Sequence, residues 1–138
     1  MAWDRVYTVN DFWDRPRFGV ADVSGQPHIY ESPFNEARDD YEDFYVLSPI
    51  EPTLLALVLE DWDIWLRWSD AFDRGEATQE THPALPKDRK RHDELQVAIG
   101  KRFKTDPLHL RQLNGEFRNG HRGWRGLKVR WSELEPER

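Results

Sequence analysis

The sequence predicts an α+β fold, in which an antiparallel sheet of about 4–6 strands packs on two helices. Residues 48–74 carry the longest apolar periodicity in the chain, which indicates that the first helix is long and central. Short alternating segments bounded by turn residues precede and follow the helical region, which indicates four strands, two helices and two strands in order. The length of 138 residues predicts a single globular domain, 1–138, with a frayed tail from about residue 132.

The N-terminal strands are indicated by apolar alternation and by turn residues. Residues 1–15 predict a strand or an extended entry, and residues 17–32 predict a β-hairpin that turns at residues 24–25, Ser-Gly. Residues 33–43 are rich in Asp and Glu but lack the spacing and central Gly of a calcium loop, so they predict a solvated acidic loop. Residues 44–47 predict a short strand that leads into the first helix.

The first helix has an unusually wide apolar surface. At 100° per residue its apolar side chains cover about 240°, well beyond the stripe of about 100° that a surface helix shows, so it must be covered on two or more sides. Two starts are open: a capping box from Ser48 to Glu51, or a start at Pro52, because a proline disfavours helical geometry in the residue before it. Gly75 predicts the end.

The C-terminal half predicts a second helix and then strands. The helix is predicted at residues 87–104. Residues 108–118 alternate, and the Asn-Gly dipeptide at 114–115 leaves two interpretations open: a tight hairpin turn, or one strand with a bulge. Residues 119–126 predict a glycine-rich basic loop, and residues 127–131 predict a closing strand. We expect the terminal strands to pair beside the N-terminal hairpin.

The charge is distributed asymmetrically along the chain. The net charge is -6, yet residues 1–86 hold 18 acidic and 6 basic residues, whereas residues 87–130 hold 13 basic and 5 acidic ones. Such asymmetry predicts either pairing of the two parts within the fold or a surface with two faces of opposite charge.

Composition also bears on the cellular setting. There is no Cys, which is typical of a reducing compartment. The chain has no apolar stretch of membrane-spanning length, and its first residues lack the apolar run of a signal peptide. We therefore expect a cytoplasmic protein without a membrane partner, and the oligomeric state is left open.

A first candidate site is a pocket formed by Asp61, Trp65, Trp68 and His92. Asp61 falls inside the apolar arc of the first helix, where a carboxylate must be paired or must take a raised pKa. One interpretation is a structural acid that accepts from a Trp indole or pairs with an Arg of the C-terminal half. The other is a functional acid in a Trp-lined pocket, with His92 of the second helix beside it as a boundary residue, a ligand or a general base.

A second candidate site is a basic surface within residues 118–130. Its members are Arg118, Arg122, Trp124, Arg125, Lys128 and Arg130. Cations beside an exposed aromatic ring can hold single-stranded nucleic acid through phosphate contacts and base stacking. The alternative is that Trp124 packs in the core and the cations meet the acidic half. The acidic net charge weighs against nucleic acid as the main partner.

The sequence carries no motif of a known catalytic centre. It lacks the glycine loops that hold phosphates, the nucleophile elbow and the His spacing of a zinc site, so we expect no metal and no cofactor and lean against an enzyme. The seven Trp residues, together with the opposite net charges of residues 1–86 and 87–130, instead favour a non-enzymatic protein–protein interaction module. The alternatives are a single-stranded nucleic-acid binder through residues 118–130 and an enzyme with an acid in a Trp-lined pocket.

Overall fold

The computed structural model describes residues 2–120 and 123–135. The chain divides into two compact units: residues 1–50 with 104–138, and residues 51–103. The strands lie in the first unit and both α-helices in the second, so the predicted α+β class is confirmed. That the whole chain forms a single domain stays a prediction.

The element bounds are as follows. The strands are β1 (Asp4–Phe12), β2 (Pro16–Val23), β3 (Gln26–Glu31), β4 (Phe34–Asn35), β5 (Asp40–Tyr41), β6 (Tyr45–Pro49), β7 (Arg111–Gly120) and β8 (Gly123–Glu133). The helices are α1 (Pro52–Asp73) and α2 (Arg89–Ile99), with short 3₁₀ turns at Gln79–Thr81 and Pro86–Asp88. No described helix combines the length and the apolar character that crossing a membrane requires.

Six strands form one antiparallel sheet in the order β1-β2-β3-β6-β7-β8, and β8 pairs with β1 to close it into a barrel. The predicted pairing of the terminal strands is therefore confirmed. Four aromatic side chains pack together inside the barrel, with ring centroids 5.5 to 6.2 Å apart: Tyr30, Tyr45, Phe117 and Trp131. The buried Tyr30 hydroxyl donates to the Thr8 carbonyl at 2.8 Å and the Tyr45 hydroxyl to the Pro16 carbonyl at 2.6 Å. These bonds satisfy the polar ends of the two rings.

The N-terminal hairpin is confirmed, and the acidic loop is more ordered than expected. Ser24 and Gly25 both take positive φ between β2 and β3, as a two-residue hairpin turn requires, and the Asp4 carboxylate accepts from both of their amides. Residues 33–43, predicted as a loop, contain the small hairpin β4–β5. Phe34 of β4 pairs with Tyr41 of β5, and their rings lie edge-on with centroids 5.2 Å apart.

Of the two interpretations of Asn114-Gly115, the tight hairpin turn is wrong. β7 continues through both residues, and they pair in regular register with Ser132 and Trp131 of β8. The register shift lies further along, between Arg118 and Gly120, so the bulge interpretation is wrong at this dipeptide as well. The predicted loop at residues 119–126 is largely strand, and its residues 121–122 lie outside the described residues.

Helix α1 begins at Pro52, which decides between the two starts. The Glu51 carboxylate accepts from the amides of Thr53 and Leu54, whereas Ser48 belongs to β6 and accepts from the Asp106 amide. The end predicted at Gly75 is confirmed by a positive φ of 75° and by the hydrogen bond that its amide donates to the Phe72 carbonyl. The buried side chains extend around about 220° of the helix, as the wide apolar arc predicted; they are Leu54, Val58, Trp62, Ile64, Leu66, Trp68 and Ala71.

Helix α2 is shorter than predicted. It ends at Ile99 because Gly100 leaves the helical conformation with a φ of 54°. Its buried Leu95 packs with Ile64 of α1 and with Ala84, which forms the core of residues 51–103. At its start, Asp88 accepts two hydrogen bonds from Arg67 of α1, at 2.9 and 3.0 Å, so one ion pair joins the two helices beside this apolar contact.

Candidate interaction surfaces

The structure brings Asp61 and His92 together. His92 Nδ1 lies 2.6 Å from Asp61 Oδ1, and Gln96 Nε2 donates to Asp61 Oδ2 at 2.7 Å. Both side chains are largely buried, with 18% of Asp61 and 14% of His92 exposed. Each carboxylate oxygen therefore has a partner, as a carboxylate within an apolar arc requires, and the pair links α1 to α2.

The two tryptophans of this predicted pocket have other contacts. The Trp65 ring stacks on Trp62 with centroids 4.9 Å apart. The Trp68 indole N–H donates to Thr81 Oγ1 at 3.0 Å, and its ring lies edge-on to His82 at 4.6 Å. Trp68 thus contributes to packing around the segment that follows α1.

The Asp61–His92 pair alone does not define a reaction. An imidazole oriented by a carboxylate can serve in general acid–base chemistry, but a reacting group must lie within hydrogen-bond reach of it. Among residues 2–120 and 123–135, no three His, Asp or Glu side chains are grouped so that they could hold a metal ion.

The predicted basic surface is divided into two places. Arg118 of β7 lies opposite Lys128 of β8, and Arg130 of β8 lies opposite Glu116, to which it donates at 2.6 Å. These side chains are exposed and alternate with the inward-facing Leu127, Val129 and Trp131, as the predicted closing strand requires. Trp124 and Arg125 lie at the start of β8, and Arg122 lies outside the described residues.

Closure of the barrel brings three more residues to the first of these places. They are Trp3, which precedes β1, and Arg5 and Tyr7 of β1. Arg5 lies opposite Lys128, so Arg5, Lys128 and Arg118 form a row across three adjacent strands. The Arg118 and Arg130 guanidiniums lie 4.3 and 4.9 Å from the centroid of the Trp3 ring, and that of Arg5 lies 4.3 Å from the Tyr7 ring. We call this surface the cationic face; its members are Trp3, Arg5, Tyr7, Arg118, Lys128 and Arg130.

Tyr7 borders the cationic face in its neutral form. Partial burial and a hydrogen bond to Asp22 raise the pKa of its phenol above the ordinary value, so the ring stays uncharged near neutral pH. The cations of the face are therefore not offset by a phenolate.

The second place is a cavity beside the β1–β2 turn. Phe12 and Pro16 flank the β1–β2 turn, and Gly123 begins β8 beside the end of β7. We call the cavity the aromatic pocket; it has a volume of about 270 Å³ and is lined by Phe12, Pro16, Asn119, Gly123, Trp124 and Leu127. The Phe12 and Trp124 rings meet edge to face with centroids 5.7 Å apart. Trp124 is half-buried at this pocket. This burial is intermediate between the exposed ring and the core ring that the two interpretations of the sequence predicted.

Exposed aromatic surface continues beside the pocket. Phe12 is 50% exposed and the adjacent Trp13 is 72% exposed. The Tyr41 hydroxyl donates to Asp11 at 3.4 Å, so the β4–β5 hairpin, with its exposed Phe34, is anchored next to this turn. No sequence pattern pointed to Trp13, because a single apolar residue in a turn carries no periodicity.

Acidic side chains border this aromatic surface. Asp14 is exposed and accepts from Arg17 at 2.6 Å, and this hydrogen bond lowers the pKa of Asp14 below its ordinary value. Arg17 is itself buried and also donates to Ser32, so it holds the turn in place. The carboxylate of Asp14 therefore remains charged at neutral pH beside the aromatic residues.

Comparison with known proteins gives no relative for this chain: no family model matches it, and neither a curated protein nor a solved structure does.

Proposed function

We propose that this protein is a non-enzymatic module that binds another protein through the aromatic pocket and the adjacent Trp13. The observation that carries the proposal is the pair of exposed aromatic side chains, Phe12 and Trp13, beside an open apolar cavity. Grouped exposed apolar surface of this kind is typical of interaction sites.

The residue types fit a protein partner. Trp and Phe are enriched in protein interfaces, and the residues that contribute most to binding tend to be aromatic side chains beside well-packed pockets. In this arrangement Trp13 is the anchor offered to the partner, whereas Phe12 and Trp124 form the walls that accept a side chain from it.

The size of the pocket favours an inserted side chain over a free small molecule. Its volume of about 270 Å³ lies just below the range of roughly 300–1,000 Å³ that is typical of ligand and cofactor sites. One large apolar side chain of a partner fills part of such a space and leaves its backbone at the rim.

The charge near the pocket indicates what accompanies that side chain. Asp11 and Asp14 flank the aromatic residues, and residues 1–43 as a whole hold 10 acidic against 4 basic residues. Complementary charge steers association and selects among partners. We therefore propose a partner segment in which an apolar side chain is flanked by Lys or Arg.

The test is capture of partners from host lysate, with and without nuclease, followed by affinity measurement on the purified partner. Trp13→Ala and Trp124→Ala should each weaken binding at least tenfold, the size expected for an interface hot spot. Leu108→Ala is the matched control, since Leu108 is 86% exposed and lies outside the pocket lining. Equal binding by all three variants, or capture that disappears with nuclease, would contradict the proposal.

A further inference from the structure

We infer that the cationic face binds single-stranded nucleic acid. This site is separate from the aromatic pocket, and the inference does not depend on the proposed protein partner. Its basis is the row of Arg5, Lys128 and Arg118, which strand pairing places directly opposite one another on β1, β8 and β7.

Like charges in directly opposed positions are unfavourable in a sheet. Within residues 2–120 and 123–135, the ion pair on this face joins Arg130 to Glu116, and Arg5, Lys128 and Arg118 form none with a carboxylate. A polyanion that crosses the three strands relieves their mutual repulsion and releases its own counterions.

The spacing of the row suits a nucleic-acid backbone. Neighbouring strands lie about 4.8 Å apart, so the three cations extend across roughly 10 Å of surface. The side chains alternate with buried residues, so they all project from the outer side of the barrel. Successive phosphates of one strand can therefore lie along the row.

The aromatic residues favour single strands over duplexes. Trp3 and Tyr7 flank the row, and the guanidiniums of Arg118 and Arg5 lie over their rings. Unpaired bases stack on aromatic rings and on guanidinium planes, whereas bases within a duplex expose only their edges. No helix lies in the unit that holds this face, among the described residues, to enter a major groove.

An anionic membrane is the other polyanion that a basic surface can meet. Membrane attachment by such a surface is normally supported by apolar side chains that enter the interface. The outward residues of β8 on this face are Lys128, Arg130 and Ser132, and the exposed Phe12 and Trp13 belong to the aromatic surface beside the pocket. This distribution favours nucleic acid.

The experiment measures anisotropy of labelled single-stranded DNA and RNA of about 12 nucleotides, a length within the usual site size. The double variant Arg118→Ala/Lys128→Ala should bind at least tenfold more weakly. The slope of log affinity against log salt should become shallower by about 1.4, since each phosphate contact on a single strand contributes about 0.7. Trp3→Ala should weaken binding at least fivefold with little change of slope, since it removes stacking rather than charge.

The matched control is Lys87→Ala/Lys90→Ala, which removes the same charge from exposed positions in residues 51–103. It should bind within twofold of the wild type, and thermal unfolding checks that every variant is folded. Absence of binding at low salt, equal loss in the control, or binding to vesicles of phosphatidylserine but not to oligonucleotide would each overturn the inference. Trp13→Ala should leave oligonucleotide binding unchanged, so this test and that of the protein partner can fail separately.

Discussion

At the scale of single residues, the Trp131 ring opposite Gly115 leaves no room for a side chain at that position. A Cβ atom at this position would lie 2.6 Å from Trp131 Cζ3 and 3.1 Å from Tyr45 Cδ1, closer than packed atoms approach. Trp131 is 2% exposed and its indole N–H donates to the Asp22 carbonyl, so its ring is buried and fixed at the indole nitrogen. The missing side chain makes room for the core.

We therefore expect Gly115→Ala to destabilise the fold by about 1–3 kcal/mol, the usual cost of overpacking a core. Ser132→Ala is the control, because Ser132 is exposed on the neighbouring strand and its side chain should contribute less than about 0.5 kcal/mol. Urea unfolding of the two variants gives the comparison. Equal midpoints would show that the Trp131 ring can move aside at little cost.

The same residue explains a limit of sequence interpretation. An Asn-Gly dipeptide is a strong hairpin signal, but a glycine in a strand is also typical of close approach by another group. Only the cross-strand partner distinguishes the two, and Trp131 is 16 positions away in the sequence. By contrast, Asp61 and His92 could be associated from helical position alone, since each interrupts an apolar face.

At the scale of elements, the sequence predicted types better than bounds. The β2–β3 hairpin carries a Ser-Gly turn, both helices carry apolar periodicity, and α1 ends at the predicted Gly75. The observed bounds differ from the predicted ones where a neighbouring strand forms hydrogen bonds with the same backbone groups. Ser48 could cap α1, yet its backbone pairs with Ile29 of β3, and the cap is Glu51 instead.

Helix α2 offers a direct test of which face is buried. Leu95 is fully buried against Ile64 and Ala84, whereas Val97, two residues on, is 84% exposed. Leu95→Ala should reduce the free energy of unfolding by about 2–5 kcal/mol, and Val97→Ala should change it by less than about 0.5 kcal/mol. Thermal and urea unfolding measure both. A larger loss for Val97→Ala would mean that the helix is rotated about its axis.

At the scale of the whole molecule, the cationic face and the aromatic pocket depend on closure of the barrel. The sequence grouped Arg118 to Arg130 as one surface because these residues are contiguous. The structure assigns Trp124 to the aromatic pocket and joins Arg118 and Lys128 to Trp3 and Arg5 from the other end of the chain. Residues more than 100 positions apart become neighbours through strand pairing, and no local pattern encodes that.

The last prediction concerns cooperativity. The first unit is built from both ends of the chain, and residues 51–103 are fewer than the roughly 60 at which a chain buries only about 60% of its surface. A unit of that size has little stability of its own, so we expect both units to unfold in one transition, as a single domain does. Hydrogen exchange followed by mass spectrometry in rising urea resolves α1 and α2 from the barrel strands. The two sets of peptides should lose protection at the same urea concentration, and Leu95→Ala, a change within residues 51–103, should lower both midpoints equally. If only the helices lose protection in that variant, the units are independent and the single-domain prediction fails.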